Sequence, residues 1–482
     1  MGMRITSLLA MALCLAPVST LAVAAEAVPA AAPPAAWWEG FADPVLSSLE
    51  QRALAQNLDL AMTAQQVMTA RAALRIAGAK GLPTVGASAS YDREQASAQG
   101  ILSLLGTQSP STTSASGADP FGSTAATGTG GPAFNLYQAG IDASWEIDLW
   151  GKARAARRAA RADMLAAAYG HDAAALALGA EVARSYLALR GLEQTIAITR
   201  EGIDVVSRGF EIARRRESEG AVSHMDGAQA QADLQAYRAR LPELEQQRQV
   251  LANALALLTG QMPHTLDALL AGNHPTTVWQ NAVPDSLPAD IARQRPDIAA
   301  AEASLQAAGA RVREAKADFY PTLSLTGSAG LQSVSLADLP EWGARQFIVG
   351  PTVHLPFFAG GALKGHLELT RAQERRAALA YRQTVLKAWG EVDDAMGEAR
   401  ARQRALVALD AAVAASQDAA RVARNRYREG AASYVDVLLA QRGLLANQLQ
   451  LAQGQTQAAT AIVALHNALG GGWKAPAKLA AK

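Results

Sequence analysis

The residue types that perform chemistry in proteins are present in this chain, but they are not clustered. Among its 482 residues are seven His and one Cys. The His residues are scattered, whereas metal and nucleophilic sites need ligands or bases at close spacing. The sequence also contains no HExxH, GxxxxGK[ST], GxSxG or CxxC motif. We therefore expect no enzymatic activity, no cofactor and no metal site.

The polar residues that stand out are two aspartates at matching places. Asp226 follows Gly220 by six residues, and Asp436 follows Gly430 by the same distance. Each glycine suits a helix end, and a Ser between glycine and aspartate is a candidate N-cap for the next helix. On this reading, a carboxylate in the first turn stabilises the positive end of its helix.

These aspartates belong to a duplicated chain. Segments 213–226 and 423–436 align at an offset of 210 with eight of fourteen positions identical, and the same offset continues from residue 151 to residue 260. Upstream the offset is 238. The first half is therefore longer than the second by 28 residues, and the extra residues lie between positions 83 and 151. Residues 94–134 are rich in Gly, Ser, Thr and Ala, so we expect a long extracellular loop there.

Four segments alternate between apolar and polar residues with the period of a strand: about 83–93, 135–149, 321–332 and 346–357. One such strand alone would be better interpreted as an antiparallel strand of a soluble sandwich. The regions 83–150 and 319–358 nevertheless hold 12 of the 25 aromatic residues, as the girdles of an outer-membrane barrel require. Four strands cannot close a barrel. Two chains would give eight strands around a filled interior, whereas three would give twelve around a lumen.

Long Ala-rich segments adjoin these strands. Residues 151–216 contain no Pro and predict a helix of about 100 Å. A soluble coiled-coil rod is the alternative for the helices alone, but it does not explain why helices begin where strand pairs end. The predicted helices are 46–81, 151–216 and 223–258 in the first half and 296–319, 361–428 and 433–469 in the second.

The composition and the first residues indicate a protein that is exported from the cytoplasm. The net charge of +1 argues against a nucleic-acid partner. Residues 1–24 read as a secretory signal peptide, with Arg4 before an apolar run. Cys14 lies inside that run and is interpreted as a discarded residue. The alternative, lipid attachment at Cys14, is disfavoured because Leu13 precedes it.

Several motifs, in this order and spacing, resemble the TolC-like outer-membrane efflux proteins, in particular the OprM/NodT-like branch. The resemblance covers nearly all of the chain after the signal. Its motifs are WxxFxDPxL at 38–46 with NLDL at 57–60, WxxDLWG at 145–151, RPDI at 295–298, FYP at 319–321 and LGGGW at 469–473.

The resemblance implies an α+β membrane protein: a homotrimer with a twelve-stranded transmembrane β-barrel, four strands per chain, that continues into a long periplasmic α-helical barrel. It also implies a location in the outer membrane, in contact with its lipid. The implied partners are a periplasmic adaptor and an inner-membrane pump, typically of the resistance-nodulation-division type.

The resemblance further implies a periplasmic gate. Residues 430–440 match the family segment at the constriction, which places Asp436 where an inward-facing acid stands. The second acidic position of that segment is Leu439 here. We take Asp436, Tyr427, Leu439 and Asp226 as the gate candidates.

The predicted function is a passive duct that exports drugs or other small molecules as the outer-membrane channel of a tripartite efflux pump. The alternatives are the outlet of a type I protein secretion system and, from another class, a non-conducting structural envelope protein. The predicted division of the chain is a signal peptide (1–24), a first repeat (25–265), a connecting equatorial segment (266–295), a second repeat (296–470) and a tail (471–482).

Overall fold

The computed structural model describes residues 36–95, 133–220, 223–272 and 295–473. The predicted signal peptide with Cys14 lies outside the described residues. So do residues 96–132 of the predicted loop, 273–294 of the connecting segment and 474–482 of the tail.

The described chain is mostly helical, with one four-stranded sheet. A 3-10 helix (Trp37–Phe41) precedes the first α-helix, and another (Trp342–Ala344) precedes the last strand. The helices are α1 (Pro44–Gln56), α2 (Leu58–Ala79), α3 (Lys152–Ser218), α4 (His224–Leu258), α5 (Asp267–Leu270), α6 (Pro296–Ala317), α7 (Ala362–Arg428) and α8 (Tyr434–Ala468), and the strands are β1 (Thr84–Glu94), β2 (Phe134–Ile147), β3 (Thr322–Ser333) and β4 (Arg345–His354).

The helix boundaries repeat at the two offsets found in the sequence. α3 and α7 are both 67 residues long and α4 and α8 both 35, each pair 210 positions apart. α2 and α6 are both 22 residues long and lie 238 positions apart. The two halves therefore share one backbone plan.

The prediction of a single helix over 46–81 was wrong, because the chain breaks at Asn57. The Asn57 backbone is extended (ψ 128°), and its side-chain oxygen accepts the N–H of Leu60, which makes it the N-cap of α2. Periodicity does not reveal such a break, since one polar residue within an Ala-rich stretch does not interrupt the pattern.

Other predicted ends shift by a few residues. β2 ends at Ile147 rather than 149, because the Asp148 carboxylate accepts the N–H groups of Ala153 and Arg154 and so starts α3. β4 ends at His354 rather than 357, shortly before Pro356, which has no N–H to donate to a ladder. α6 ends at Ala317, two residues earlier than expected.

The four strands form an antiparallel sheet in the order β1-β2-β3-β4. Val85, Ala143, Gly327 and Val349 lie opposite one another across it. Residues opposite one another share a face, so the predicted alternation places apolar residues of all four strands on one side. That side is open in the single chain, where Val85 is 70% and Val349 75% exposed.

The helices pack side by side. α3 contacts α2 and α6, and α6 also contacts α7, so α2, α3, α6 and α7 lie next to one another in that order. We call this row of helices the wall. The helices α4 and α8, which run back along it and are called the returning helices, pack against it: α4 against α3, and α8 between α3 and α7. No helix among the described residues combines the length and the apolarity that crossing a membrane requires.

The main core lies where α1 and the 3-10 helix Trp37–Phe41 pack against the middle of α3. A polar chain crosses this core: the Tyr186 hydroxyl donates to Asp43 (2.6 Å), and the guanidinium of Arg190 lies over the Tyr186 ring. Arg190, 2% exposed, also donates to Glu193 (2.6 Å) and to the carbonyl of Leu270 (3.2 Å). This chain of contacts joins α1, α3 and α5.

A second feature of the core is Glu50 of α1, which is fully buried against Gly179 of α3. A Cβ at Gly179 would lie 3.1 Å from the Glu50 carboxylate, so a larger residue there would require the Glu50 side chain to shift by a few tenths of an ångström. Both carboxylate oxygens lack a hydrogen-bond partner among the described residues. Burial raises the pKa of Glu50 to about 9, so the group is protonated and neutral at neutral pH.

Two equivalent contacts, which we call the joints, hold the end of each returning helix against the start of a shorter helix. Asn57 Nδ2 donates to the carbonyl of Leu258, the last residue of α4 (2.9 Å). At the positions 238 and 210 residues later, Arg295 Nη1 donates to the carbonyl of Ala468, the last residue of α8 (3.0 Å). Each contact satisfies a carbonyl that a helix end leaves unpaired. Each therefore fixes where the returning helix ends against the start of α2 or α6.

Candidate functional site

The candidate gate lies at the turns that join each long helix to its returning helix. Gly220 and Gly430 both adopt the left-handed conformation there, with φ of 71° and 76°. This conformation is strained for residues with a Cβ, so the glycines allow the chain to reverse within a few residues. The two returning helices thus begin at the same end of the wall, far from the sheet.

In the second repeat the turn leads into a capping box. The Ser433 hydroxyl accepts the N–H of Asp436 (3.3 Å), and the Asp436 carboxylate accepts the N–H of Ser433 (2.9 Å). Ser433 is therefore confirmed as an N-cap. Hydrogen bonds from the side chain and the backbone of Ser433 lower the pKa of Asp436, an exposed residue, below its ordinary value. Asp436 is accordingly ionised at neutral pH.

Asp436 is therefore engaged in helix capping while its charge remains exposed to solvent. One turn further along α8, Leu439 is 59% exposed, and Val435 beside Asp436 is 50% exposed. Residues 435 and 439 are four apart and share a helix face. An exposed apolar stripe thus adjoins an exposed carboxylate at the start of α8.

The turn of the first repeat is built differently. Glu217 at the end of α3 contacts His224 at the start of α4, with 2.6 Å between Oε1 and Nδ1. Gly227 lies beneath this pair, and a Cβ there would collide with the Glu217 carboxylate. Asp226 lies in the first turn of α4, but its side chain is outside the described part of the structure.

Tyr427 lies at the end of α7, next to α3. The guanidinium of Arg216 in α3 stacks over the Tyr427 ring, 4.7 Å from its centroid. This cation–π contact links the ends of the two long helices. The structure thus places Tyr427 and Asp436 on the two sides of one turn.

A further contact links the two returning helices. Asp233 of α4 and Arg442 of α8 form an ion pair. Asp233 side-chain exposure is 15% and that of Arg442 is 36%, so water screens the pair only in part. The sequence interpretation missed this pair. Its one signal is that opposite charges occur eight or nine residues into each returning helix.

The geometry of this region is suited to holding helix ends together. Its side chains supply a cap, a cation–π contact, an ion pair between helices and a hydrogen bond between Glu217 and His224. Among the described residues, no cluster of His, Cys, Asp and Glu is arranged to hold a metal ion.

Comparison with known proteins establishes the family. A family model described as "Outer membrane efflux protein" matches residues 49–261 and 287–471. The chain therefore belongs to the outer membrane efflux protein family. The resemblance found in the sequence motifs is confirmed.

The chain is also similar to individual members over most of its length. It is 31% identical to outer membrane protein OprJ of Pseudomonas aeruginosa over 438 residues, which cover 90% of this chain and 86% of OprJ. It is 30% identical to the probable efflux pump outer membrane protein TtgC of Pseudomonas putida, covering 91% and 85% of the two chains.

Among solved structures, the chain is similar to the outer-membrane channel OprN, with a TM-score of 0.80 and 29% identity. The match covers 91% of this chain and 92% of OprN. The protein is thus an outer-membrane component of an efflux system, and its helices extend into the periplasm.

Proposed function

We propose that three copies of this chain form a passive export duct, with a twelve-stranded β-barrel in the outer membrane and a helical conduit below it. The observation that carries the proposal is the open four-stranded sheet. Within the described chain, β1 and β4 each have one unpaired edge, and the apolar face is exposed. In hydrocarbon every such edge has to be paired.

The duplication suggests how the edges pair. β2 and β3 are the strands through which the two repeats meet, and Ala143 lies opposite Gly327 between them. Applying the offsets of 210 and 238 places Val353 of β4 opposite Ala89 of β1 in a neighbouring chain. The contact between chains then copies the contact within a chain.

The helices support the same arrangement. α6 buries Ala303, Ala307 and Ala310 in its contacts with neighbouring helices. The equivalent positions on α2 are Gln65, Thr69 and Ala72, and all three are exposed in the single chain. α2 therefore has an open face that fits α7 of a neighbour. Three copies, rather than two, leave a lumen inside the barrel.

A cysteine pair tests this assembly. Val353→Cys with Ala89→Cys is expected to form a disulfide ladder that stops at three chains, since paired strands bring such residues within bonding distance. The control is Val353→Cys with Val85→Cys, which keeps the same face but shifts the register by four residues. A stable, membrane-inserted monomer, or a ladder that stops at two, would contradict the proposal.

We further propose that the turn at Gly430 is the gate of the duct. In a trimer, three copies of Leu439 narrow the passage and three copies of Asp436 give it a negative ring, which favours cations. The contact between Asp233 and Arg442 ties α4 to α8 and resists opening. Tyr427, stacked on Arg216, anchors the same turn, and Asp226 is the corresponding acid of the first repeat.

Substitution of Asp436 tests the gate. Asp436→Asn retains the side-chain size but removes the charge, so single-channel conductance and cation preference in a planar bilayer should fall. Asp59→Asn is the matched control, because it removes a first-turn acid from α2, whose start lies against the end of α4 and far from the turn at Gly430. Unchanged conductance and selectivity, with a lower melting temperature, would leave Asp436 with the capping role alone.

The proposed cargo is drugs or other small molecules, handed over by a periplasmic adaptor and an inner-membrane pump of the resistance-nodulation-division type. The support is that TtgC, a relative over most of this chain, is named as an efflux pump component. Co-purification of the full chain with the adaptor and the pump encoded beside it tests this assignment. Export of a co-encoded protein instead would favour the type I secretion outlet.

A further inference from the structure

The helices carry a strong excess of positive charge at the end that meets the sheet. Four ten-residue segments lie where α2, α3, α6 and α7 approach the sheet: 71–80 (the end of α2 with Lys80 after it), 152–161, 308–317 and 362–371. We call them the basic collar. They contain 13 basic and 2 acidic residues, although the whole chain has 44 basic and 43 acidic residues. The positive charge of the chain is therefore concentrated just below the sheet.

Internal ion pairs account for only part of this charge. Lys152 pairs with Asp318, Arg154 with Asp148 and Arg311 with Asp163. Arg157, Arg158, Lys364 and Arg371 are exposed and form no ion pair with a described residue. Helix stability does not explain them either: α3 and α7 begin here with no acid in the first turn, and the positive helix end disfavours cations.

The direction of the collar follows from contacts further along α3. Arg154, Arg158 and Arg161 lie three and four residues apart, and the same helix row continues to Asp172, Leu176 and Gly179. There the row is covered: Trp473 donates to Asp172, Gly471 lies against Leu176, and Glu50 of α1 lies against Gly179. These covering elements would block a conduit if they lay inside it. The row that contains Arg158 therefore faces outward. Lys364 and Arg371 occupy the positions of Arg154 and Arg161 in the second repeat, so the duplication assigns them the same direction.

Aromatic residues mark the membrane boundary beside the collar. Trp150 and Tyr320 stack with ring centroids 4.8 Å apart, and both are about half exposed. Phe357 and Phe358, between β4 and α7, are 95% and 88% exposed. Such rings settle at the headgroup level. The collar begins two residues after Trp150 and extends about 15 Å along the helices, within reach of headgroups for long basic side chains.

We propose that the basic collar binds the headgroups of anionic phospholipids in the periplasmic leaflet of the outer membrane. Lipid phosphates neutralise the unpaired arginines and lysines, and the aromatic side chains contact the adjoining acyl region. The lipid contact seats the barrel at a fixed depth relative to the helical conduit. This interaction is independent of gating and of the cargo.

The test uses the full chain in phosphatidylcholine vesicles that contain a trace of spin-labelled phosphatidylglycerol or spin-labelled phosphatidylcholine. Electron spin resonance measures how strongly each lipid is retained at the protein surface. The wild type is expected to retain phosphatidylglycerol about threefold or more over phosphatidylcholine in low salt, because each basic residue near the surface attracts anionic lipid. In 0.5 M NaCl the preference should fall to about one, as charge screening demands.

The collar variant is Arg157→Gln/Arg158→Gln/Lys364→Gln/Arg371→Gln, and it should lose the preference. The matched control removes four exposed arginines at the far end of the helices: Arg214→Gln/Arg215→Gln/Arg426→Gln/Arg428→Gln. The control should keep the preference. The proposal would be overturned if both variants lost the lipid preference equally, or if the wild type showed no preference for phosphatidylglycerol. If a variant fails to fold, the salt dependence of the wild type still tests the proposal.

Single-channel recordings separate this proposal from a role in the conduit. The collar variant should conduct like the wild type, because the collar faces outward. Altered ion selectivity together with an intact lipid preference would place these charges in the lumen and contradict the proposal. Neither outcome depends on which cargo the duct carries.

Discussion

The two repeats have the same helix boundaries but different interiors. In the first repeat, a buried Arg190 ties α3 to α5 and to the Tyr186–Asp43 pair, whereas the position 210 residues later, Arg400, is partly exposed. At the joints, in contrast, the positively charged residue belongs to the second repeat. The first uses the neutral Asn57, and the second uses Arg295, which also pairs with Asp297 and Glu391 at 2.7 Å.

The comparison of the two repeats shows which features of a repeat are constrained. Helix lengths set the dimensions of the wall, so they remain equal in both halves. The residue that caps a helix end needs only an N–H donor at the right place, and an amide and a guanidinium both supply one. Chemistry at the joints can therefore diverge while the architecture stays the same.

The largest effect is expected from removing the buried cation of the first repeat. Arg190→Ala removes the 2.6 Å contact to Glu193, which keeps Arg248 as a partner at 2.8 Å, and leaves the Leu270 carbonyl without a donor. Removing a fully buried large side chain together with these hydrogen bonds costs about 2–5 kcal/mol. Arg400→Ala, the matched change in the second repeat, should cost roughly 1 kcal/mol or less. Guanidinium unfolding of the detergent-solubilised proteins measures both, and equal losses would remove the contrast between the repeats.

The next effect concerns Glu50, which has no carboxylate counterpart at Pro288 of the second repeat. Burial raises the pKa of Glu50 in the folded protein to about 9, from an ordinary value of 4.5. Its contribution to stability is therefore fully present below about pH 4.5 and is lost progressively as the pH rises toward 9. Glu50→Gln, which needs no proton, should be more stable than the wild type by on the order of 2 kcal/mol at pH 7.

The pH dependence is the decisive part of that measurement. The advantage of Glu50→Gln should nearly vanish at pH 4.5 and grow up to about pH 9. Glu181→Gln, which changes a half-exposed carboxylate on the same helix wall, serves as the control and should show no such trend. A constant difference between pH 5 and pH 8 would mean that Glu50 keeps an ordinary pKa.

The smallest of the three effects tests the joints. Asn57→Asp keeps the oxygen that caps α2 but removes the N–H donated to Leu258, so stability should fall by about 1–2 kcal/mol. Arg295→Gln keeps an N–H donor and loses the charge, and we expect a smaller loss. If Arg295→Gln proves the more damaging, the ion pairs with Asp297 and Glu391, rather than the helix-end contact, define the second joint.

Much of the fold was predictable because it depends on periodicity. The four strands were found from alternation, and the long helices from Ala-rich stretches without Pro. Ser433 was identified as a cap because its hydroxyl acts on a backbone N–H only three residues away. The break at Asn57 was missed, since the signal there is a single residue whose partner Leu258 lies 201 positions later in the chain.

The candidate gate likewise combines features that were predicted from the sequence with contacts that were not. Gly430, Asp436 and Leu439 were placed at a turn by local pattern and by resemblance, and the structure places them there. The contact between Asp233 and Arg442, the stacking of Arg216 on Tyr427 and the pairing of Glu217 with His224 were not predicted. Each joins side chains on two different helices, and the position of a side chain on one helix does not reveal what the other presents.

The family, the duplication and the succession of strands and helices could be predicted from the sequence, because they follow from motifs, offsets and periods that are local along the chain. The structure was needed to show that Arg190 and Glu50 are buried, that Asn57 and Arg295 occupy equivalent joints, and that the helix row of Arg158 is covered further along α3. The physical reason is that burial and pairing depend on which helix faces meet. In an Ala-rich chain nearly every helix face is apolar enough to be buried, so packing selects among faces that composition leaves equivalent.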